Sequence, residues 1–158
     1  AAEPDQYSGV PGLQTQIITN LGMTPRIYQG EPLADSDIVL DALIGYGLEG
    51  AVLGMSAGII HAANSADRPV ISLDLPSGLD ADSGDAPGEA IRASATLTLA
   101  LPKTGFLNPA SQKWTGKLFL ADISVPQATY RQLDSENVTI FGRGPLVRLT
   151  QNFKGTQA

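Results

Sequence analysis

Residues 38–50 read IVLDALIGYGLEG. An apolar run leads into Asp41, and after Ala42, Leu43 and Ile44 comes a turn built on Gly45, Gly47 and Gly50. A buried strand that ends in a carboxylate and a glycine-rich loop is how an open α/β sheet forms a ligand crevice. Residues 70–82, VISLDLPSGLDAD, repeat the arrangement around Asp74. Either stretch alone is ordinary, because strands must end and glycines are common in turns. The two together are read as one site.

Working outward, residues 55–66 place Met55, Ile59, Ile60 and Ala63 at helical spacing between the two stretches. Strand, helix and strand with so long a crossover make a parallel βαβ unit. Upstream, residues 11–21 put Leu13, Ile17, Ile18 and Leu21 on one side of a helix that Gly22 stops. Residues 26–29 are read as a short strand and 31–37 as a polar loop. Residues 38–43 are read as a central strand, apolar enough for burial on both faces. Downstream, strands are expected at 70–75, 93–101 and 117–123, with a further one at 137–141. Residues 78–90 and 103–116 read as loops, and Trp114 as a lid over the sheet edge.

The bulk properties exclude several classes. The chain has 158 residues, 42% of them hydrophobic, which fits one globular domain with a real core. Sixteen acidic residues against 10 basic give a formal charge of -6, a surface that does not attract nucleic acid or anionic lipid non-specifically. There is no cysteine, so thiol chemistry is excluded, and His61 is the one histidine, which argues against zinc. No apolar run reaches membrane-spanning length. The opening AAEPDQYSGVPG lacks a basic region followed by an apolar one, so a cytoplasmic or organellar setting is favoured over secretion.

Three acids, Asp41, Asp74 and Asp122, fall at the ends of expected strands. In a parallel sheet those ends share one rim, where ligands bind. Carboxylates there can bind a cation, do acid/base work or hold ribose hydroxyls. Asp74 ends a strand with Pro76 fixing the turn behind it. The acids at 80, 82 and 85 invite calcium, but no Glu closes the twelve-residue loop pattern. No GxxxxGK[ST] is present, which disfavours P-loop enzymes; the GxGxxG spacing of GYGLEG (45–50) and the GxSxG spacing of GMSAG (54–58) are short matches that do not by themselves support an ordinary dehydrogenase or a serine hydrolase.

The stretches DIVLDALIGYGLEG (37–50), RPVISLDLPSGLDADSGD (68–85), LTLALPKTGFL (97–107) and GKLFLADISVP (116–126) resemble, in order, the YjeF N-terminal domain family of NAD(P)H-hydrate epimerases. The resemblance covers about residues 20–130. It implies a Rossmann-like three-layer α/β/α fold with a mostly parallel sheet, often a homodimer, paired in function with an NAD(P)HX dehydratase. It implies epimerisation of the R and S forms of hydrated NADH and NADPH. By the same resemblance, Asp41 and Ser77 are ligands to a potassium ion. Gly45, Tyr46, Gly47, Leu48, Glu49, Gly50 and Ala51 wrap the substrate. Asp74 contacts the substrate and is the acid/base candidate. Backbone carbonyls in 102–108 are expected to complete the shell of the ion.

One departure from the family is marked. The Asn-Gly-Gly-Asp type loop expected upstream of Asp41 is absent, so the N-terminal part of the usual domain is expected to be lacking, and a sheet edge to be exposed. A fragment of a longer protein is the favoured explanation. A non-catalytic nucleotide-binding or protein-interaction scaffold derived from the same family is the alternative function, and one half of a bifunctional repair enzyme a third.

Overall fold

The computed structural model describes residues 7–33, 36–130, 141 and 144–150. Helix α1 spans Gly9–Asn20, strand β1 Val39–Asp41, α2 Gly54–Ser65, β2 Val70–Leu73 and β3 Ala95–Leu99. Two 3₁₀ turns, Thr104–Leu107 and Pro109–Ser111, lead into α3 (Gln112–Thr115), then β4 (Lys117–Ala121), α4 (Gln127–Tyr130) and β5 (Leu146–Arg148). The strands form one sheet in the order β1-β2-β3-β4-β5. The first four run parallel and β5 returns antiparallel. This is a mostly parallel sheet flanked by helices, as expected.

Helix α1 ends where its sequence says it must. Gly22 takes φ 79°, donates to Thr19 O, and lets Met23 N reach back to Ile18 O. That pair of bonds satisfies carbonyls the helix would leave open, and only glycine enters this conformation without steric cost. Helix α2 packs Ile60 and Ala63 onto a core of Val52, Val70, Ile91 and Ala93. Each such buried aliphatic side chain contributes about 1.5–3 kcal/mol. A second cluster gathers Leu75, Leu79, Ala81 and Phe106, with Trp114 packed on it. Trp114 therefore covers this cluster rather than the sheet edge.

Several expectations are corrected. Residues 26–29 are not a strand. Gly30 bends the chain at φ 99°, and Gln29 N donates to the Glu31 carboxylate instead of to a ladder. Strand β1 is not buried on both faces. It is the outermost strand, and Leu40 is 75% exposed. Among the described residues, β1 thus presents an unpaired sheet edge. Residues 112–115 are helical and continue the 3₁₀ turn Pro109–Ser111, which Asn108 caps by accepting from Ala110 N, with Pro109 at its first position. Of the strand expected at 137–141, residues 137–140 lie outside the described residues.

The loop at 78–90 is tied internally. Asp80 Oδ1 accepts from Ser83 N (2.7 Å), Ser83 Oγ (2.8 Å) and Asp82 N (3.1 Å). The Ser83 N–H, then its hydroxyl, hold the Asp80 carboxyl below its ordinary value of 3.8. A depressed carboxyl stabilises the fold above its unfolded value, and that contribution disappears as pH falls through the folded one. An Asp80→Asn chain is expected to be less stable than the parent at neutral pH. The difference should shrink as pH falls below the ordinary carboxyl value of 3.8, as read by denaturant melts at neutral and at acid pH. The loop is also pinned from outside, because Gly105 N donates to Ala81 O (2.8 Å) and the backbones of Gly84 and Gly105 meet where a Cβ on either would collide.

Candidate active site

The acids singled out in the sequence lie at the C-terminal ends of the parallel strands. Here the backbone is strained at three successive exits: Asp74 (φ 69°) after β2, Ala100 (φ 62°) after β3 and Ser124 (φ 63°) after β4. Left-handed backbone at non-glycine residues costs about 1–2 kcal/mol apiece and clusters where geometry serves a ligand.

Asp41 closes β1 and is 5% exposed; Ser77, in the turn after β2, is fully buried. The structure brings them into direct contact. Ser77 Oγ donates to Asp41 Oδ1 at 2.6 Å, and Ser77 N and Ser72 Oγ donate to Oδ2 at 2.9 and 2.7 Å. Leu43 N reaches Oδ1 at 3.4 Å. Ser77 Oγ in turn accepts from Ile44 N (2.9 Å) and lies 3.3 Å from Ile44 O. A buried carboxylate therefore sits among neutral donors, with no basic side chain paired to it among the described residues. Buried charges are normally paired or coordinate a metal. Carboxylate, hydroxyl and the Ile44 carbonyl form an oxygen donor set that suits a hard cation. Among the described residues, no group of three or more His, Asp or Glu side chains is placed to hold a metal ion.

Asp74 lies on the same rim but faces the neighbouring strand exit. Its Oδ1 accepts from Leu99 N (3.1 Å), Thr98 Oγ1 (3.4 Å) and Lys103 Nζ (2.7 Å). Its Oδ2 has no partner among the described residues, and the side chain stays 23% exposed. Lys103 was not singled out from the sequence. The signal that could have found it is its place just beyond the end of β3, the strand beside β2, because adjacent parallel exits share a rim. Asp122, the third rim acid, turns into its own loop, accepting from Ser124 N at 2.8 Å.

The segment from Gly45 to Ala51 follows β1 directly and stands largely exposed. Tyr46 is 68% exposed, and only Leu48 turns inward onto the α2 core. Gly47 (φ 95°) and Gly50 (φ 76°) supply its bends. Its far end rests against the loop at 88–90, where Ala51 meets Gly88. A groove of about 1150 Å³ runs along the free edge of β1 and includes Asp41, Ala42 and Leu43. A second cavity of about 1020 Å³ lies at the N-terminal ends of β3 and β4, lined by Ser94, Gly116 and Lys117. That is the opposite rim, and it holds none of the acids discussed. His61 is exposed and pairs with Glu89 at 3.1 Å, away from the rim acids. No helix among the described residues is long and apolar enough to cross a membrane.

With this geometry in hand, similarity to known proteins becomes informative. Residues 2–105 match the family described as YjeF-related protein N-terminus. An NAD(P)H-hydrate epimerase of Dehalogenimonas lykanthroporepellens is 45% identical over 147 residues, 92% of this chain and 58% of that protein. The bifunctional NAD(P)H-hydrate repair enzyme Nnr of Moorella thermoacetica is 37% identical over 134 residues, 80% of this chain and 25% of the relative. The chain thus spans little more than half of the first relative and a quarter of the second. The crystal structure of yeast ynu0 superposes with a TM-score of 0.65 at 17% identity, covering 91% of this chain and 62% of that one, which speaks for the fold alone. By sequence match and by fold, the chain belongs to the YjeF-related protein N-terminus family.

Proposed function

We propose that this chain carries the epimerase chemistry for which its relatives are named, interconverting the R and S forms of hydrated NADH and NADPH. The observation that carries the reading is the division of labour within Asp74. One oxygen is held by three donors, while the other is left without a partner on the rim where this fold binds ligands. A free oxygen on a rigidly held carboxylate is what proton transfer to a bound ring hydroxyl requires.

The reaction needs one proton moved and then moved back. Asp74 Oδ2 gives a proton to the departing hydroxyl oxygen, which leaves as water. The ring nitrogen lone pair stabilises the planar cation that remains. Water adds to the other face, and Oδ2 takes the proton from it. No net proton is consumed. The Gly45–Ala51 loop encloses the nucleotide, with the exposed Tyr46 ring available to lie against it. Asp41, Ser77 and the Ile44 carbonyl would hold a potassium ion, which supplies positive charge beside an anionic substrate. Homodimerisation and pairing with an NAD(P)HX dehydratase belong to the same reading.

The test is direct. Supplied with one purified epimer and potassium, the chain is expected to bring R and S to their equilibrium mixture, followed by chromatography. Nucleotide binding without interconversion would replace the enzymatic reading with the binding-scaffold one.

A further inference from the structure

We infer that Lys103 is a positioning residue for Asp74: it reserves Oδ1, so that protons enter and leave the carboxylate only at Oδ2. This rests on the epimerase reading for its consequence but not for its geometry. Lys103 follows the exit of β3, two residues beyond the turn in which Leu101 N donates to Leu99 O at 2.7 Å. That turn brings the ammonium back over β2, to 2.7 Å from Oδ1, with the Lys103 side chain only 17% exposed. Leu99 N, from the same exit, donates to the same oxygen at 3.1 Å. Two donors from one rigid turn fix the carboxylate plane, and a charge-assisted bond of this length is about twice as strong as a neutral one.

The alternative arrangement would be costly. Without the ammonium, the carboxylate keeps only Leu99 N and the long contact to Thr98, and its plane is free to rotate. Either oxygen could then meet the substrate, and the proton would be delivered from a range of angles. Misplacing a catalytic group by about 1 Å can cost ~100-fold in rate. Lys103 does not itself touch the reacting carbon in this scheme; it acts through Asp74.

The experiment uses Lys103→Met and Lys103→Arg in this chain. For Lys103→Met, kcat is expected to fall about 10–100-fold with KM within about threefold, since ground-state binding is untouched. Methylammonium added to that variant should restore at least part of the rate, and Lys103→Arg should retain more activity than Lys103→Met. A purely structural lysine would show no amine rescue. Full activity in Lys103→Met overturns the assignment, and so does a loss without amine rescue that is equal in the Arg variant. A crystal structure of Lys103→Met gives the readout that does not depend on turnover. A rotated Asp74 carboxylate supports the positioning role, and an unmoved one overturns it. Should the parent chain itself prove inactive, the epimerase reading falls while that structure still decides the role of Lys103.

Discussion

An Asp74→Asn chain is expected to fold, to bind nucleotide and to lose turnover by about 10²–10⁴-fold. The fold is preserved for two reasons. Asp74 sits at φ 69°, a conformation that asparagine tolerates better than any other side-chain-bearing residue. The amide oxygen can also take the place of Oδ1, still accepting from Leu99 N and Thr98 Oγ1. What is lost is the charge paired with Lys103 and the ability of the free oxygen to give and take a proton. Thermal melting within about 5 °C of the parent, with equal nucleotide affinity and no interconversion, is the expected pattern. An unchanged rate in Asp74→Asn would remove Asp74 from the reaction and with it the proposed route. An Asp74→Ala chain is a poorer probe, because alanine cannot satisfy Leu99 N and is strained at this φ.

The site was legible in the sequence to different depths. Strand ends and glycine turns are local signals, so the positions of β1, β2 and the Gly45–Ala51 loop could be read directly. Gly22 declared the end of α1 in the same way. That Asp41 and Ser77 touch is a contact across 36 positions, and nothing local encodes it; it entered through family resemblance alone. The Lys103–Asp74 pair is of the same kind. It depends on which strands lie side by side, and β2 and β3 are neighbours only in the folded sheet. Strand β5 is three residues held by pairing with β4, too short for any period to announce it. The burial of β1 was misjudged because an apolar strand reads alike whether or not a neighbour covers it. Leu40 is exposed because β1 lies at the sheet edge.

Replacing Asp41 separates the structural and the ionic roles of the buried cluster. In Asp41→Ala, the Ser77 N–H and the hydroxyls of Ser72 and Ser77 lose their acceptor inside the protein. Each orphaned buried donor costs about 1–3 kcal/mol, and partial rearrangement leaves an expected total of about 3–5 kcal/mol. Domains of this kind have about 5–15 kcal/mol in hand, so the variant should be severely destabilised in urea melts. Asp41→Asn should be far milder. With its NH₂ in the place of Oδ1, Ser77 Oγ can accept from it and turn its own proton to Ile44 O, already 3.3 Å away. Only the long contact from Leu43 N is then lost, at about 1 kcal/mol. The asparagine nevertheless removes the negative charge that a cation would need. A ligand present at a hundred times its dissociation constant stabilises by about 2.7 kcal/mol. Potassium chloride is therefore expected to raise the melting temperature of the parent above that in choline chloride at matched ionic strength, and to leave Asp41→Asn unmoved. Equal melting of the parent in the two salts would dismiss the cation while leaving the stability order of the variants intact. That outcome would make Asp41 a purely structural acceptor, a buried charge held by four neutral donors at the foot of the substrate loop.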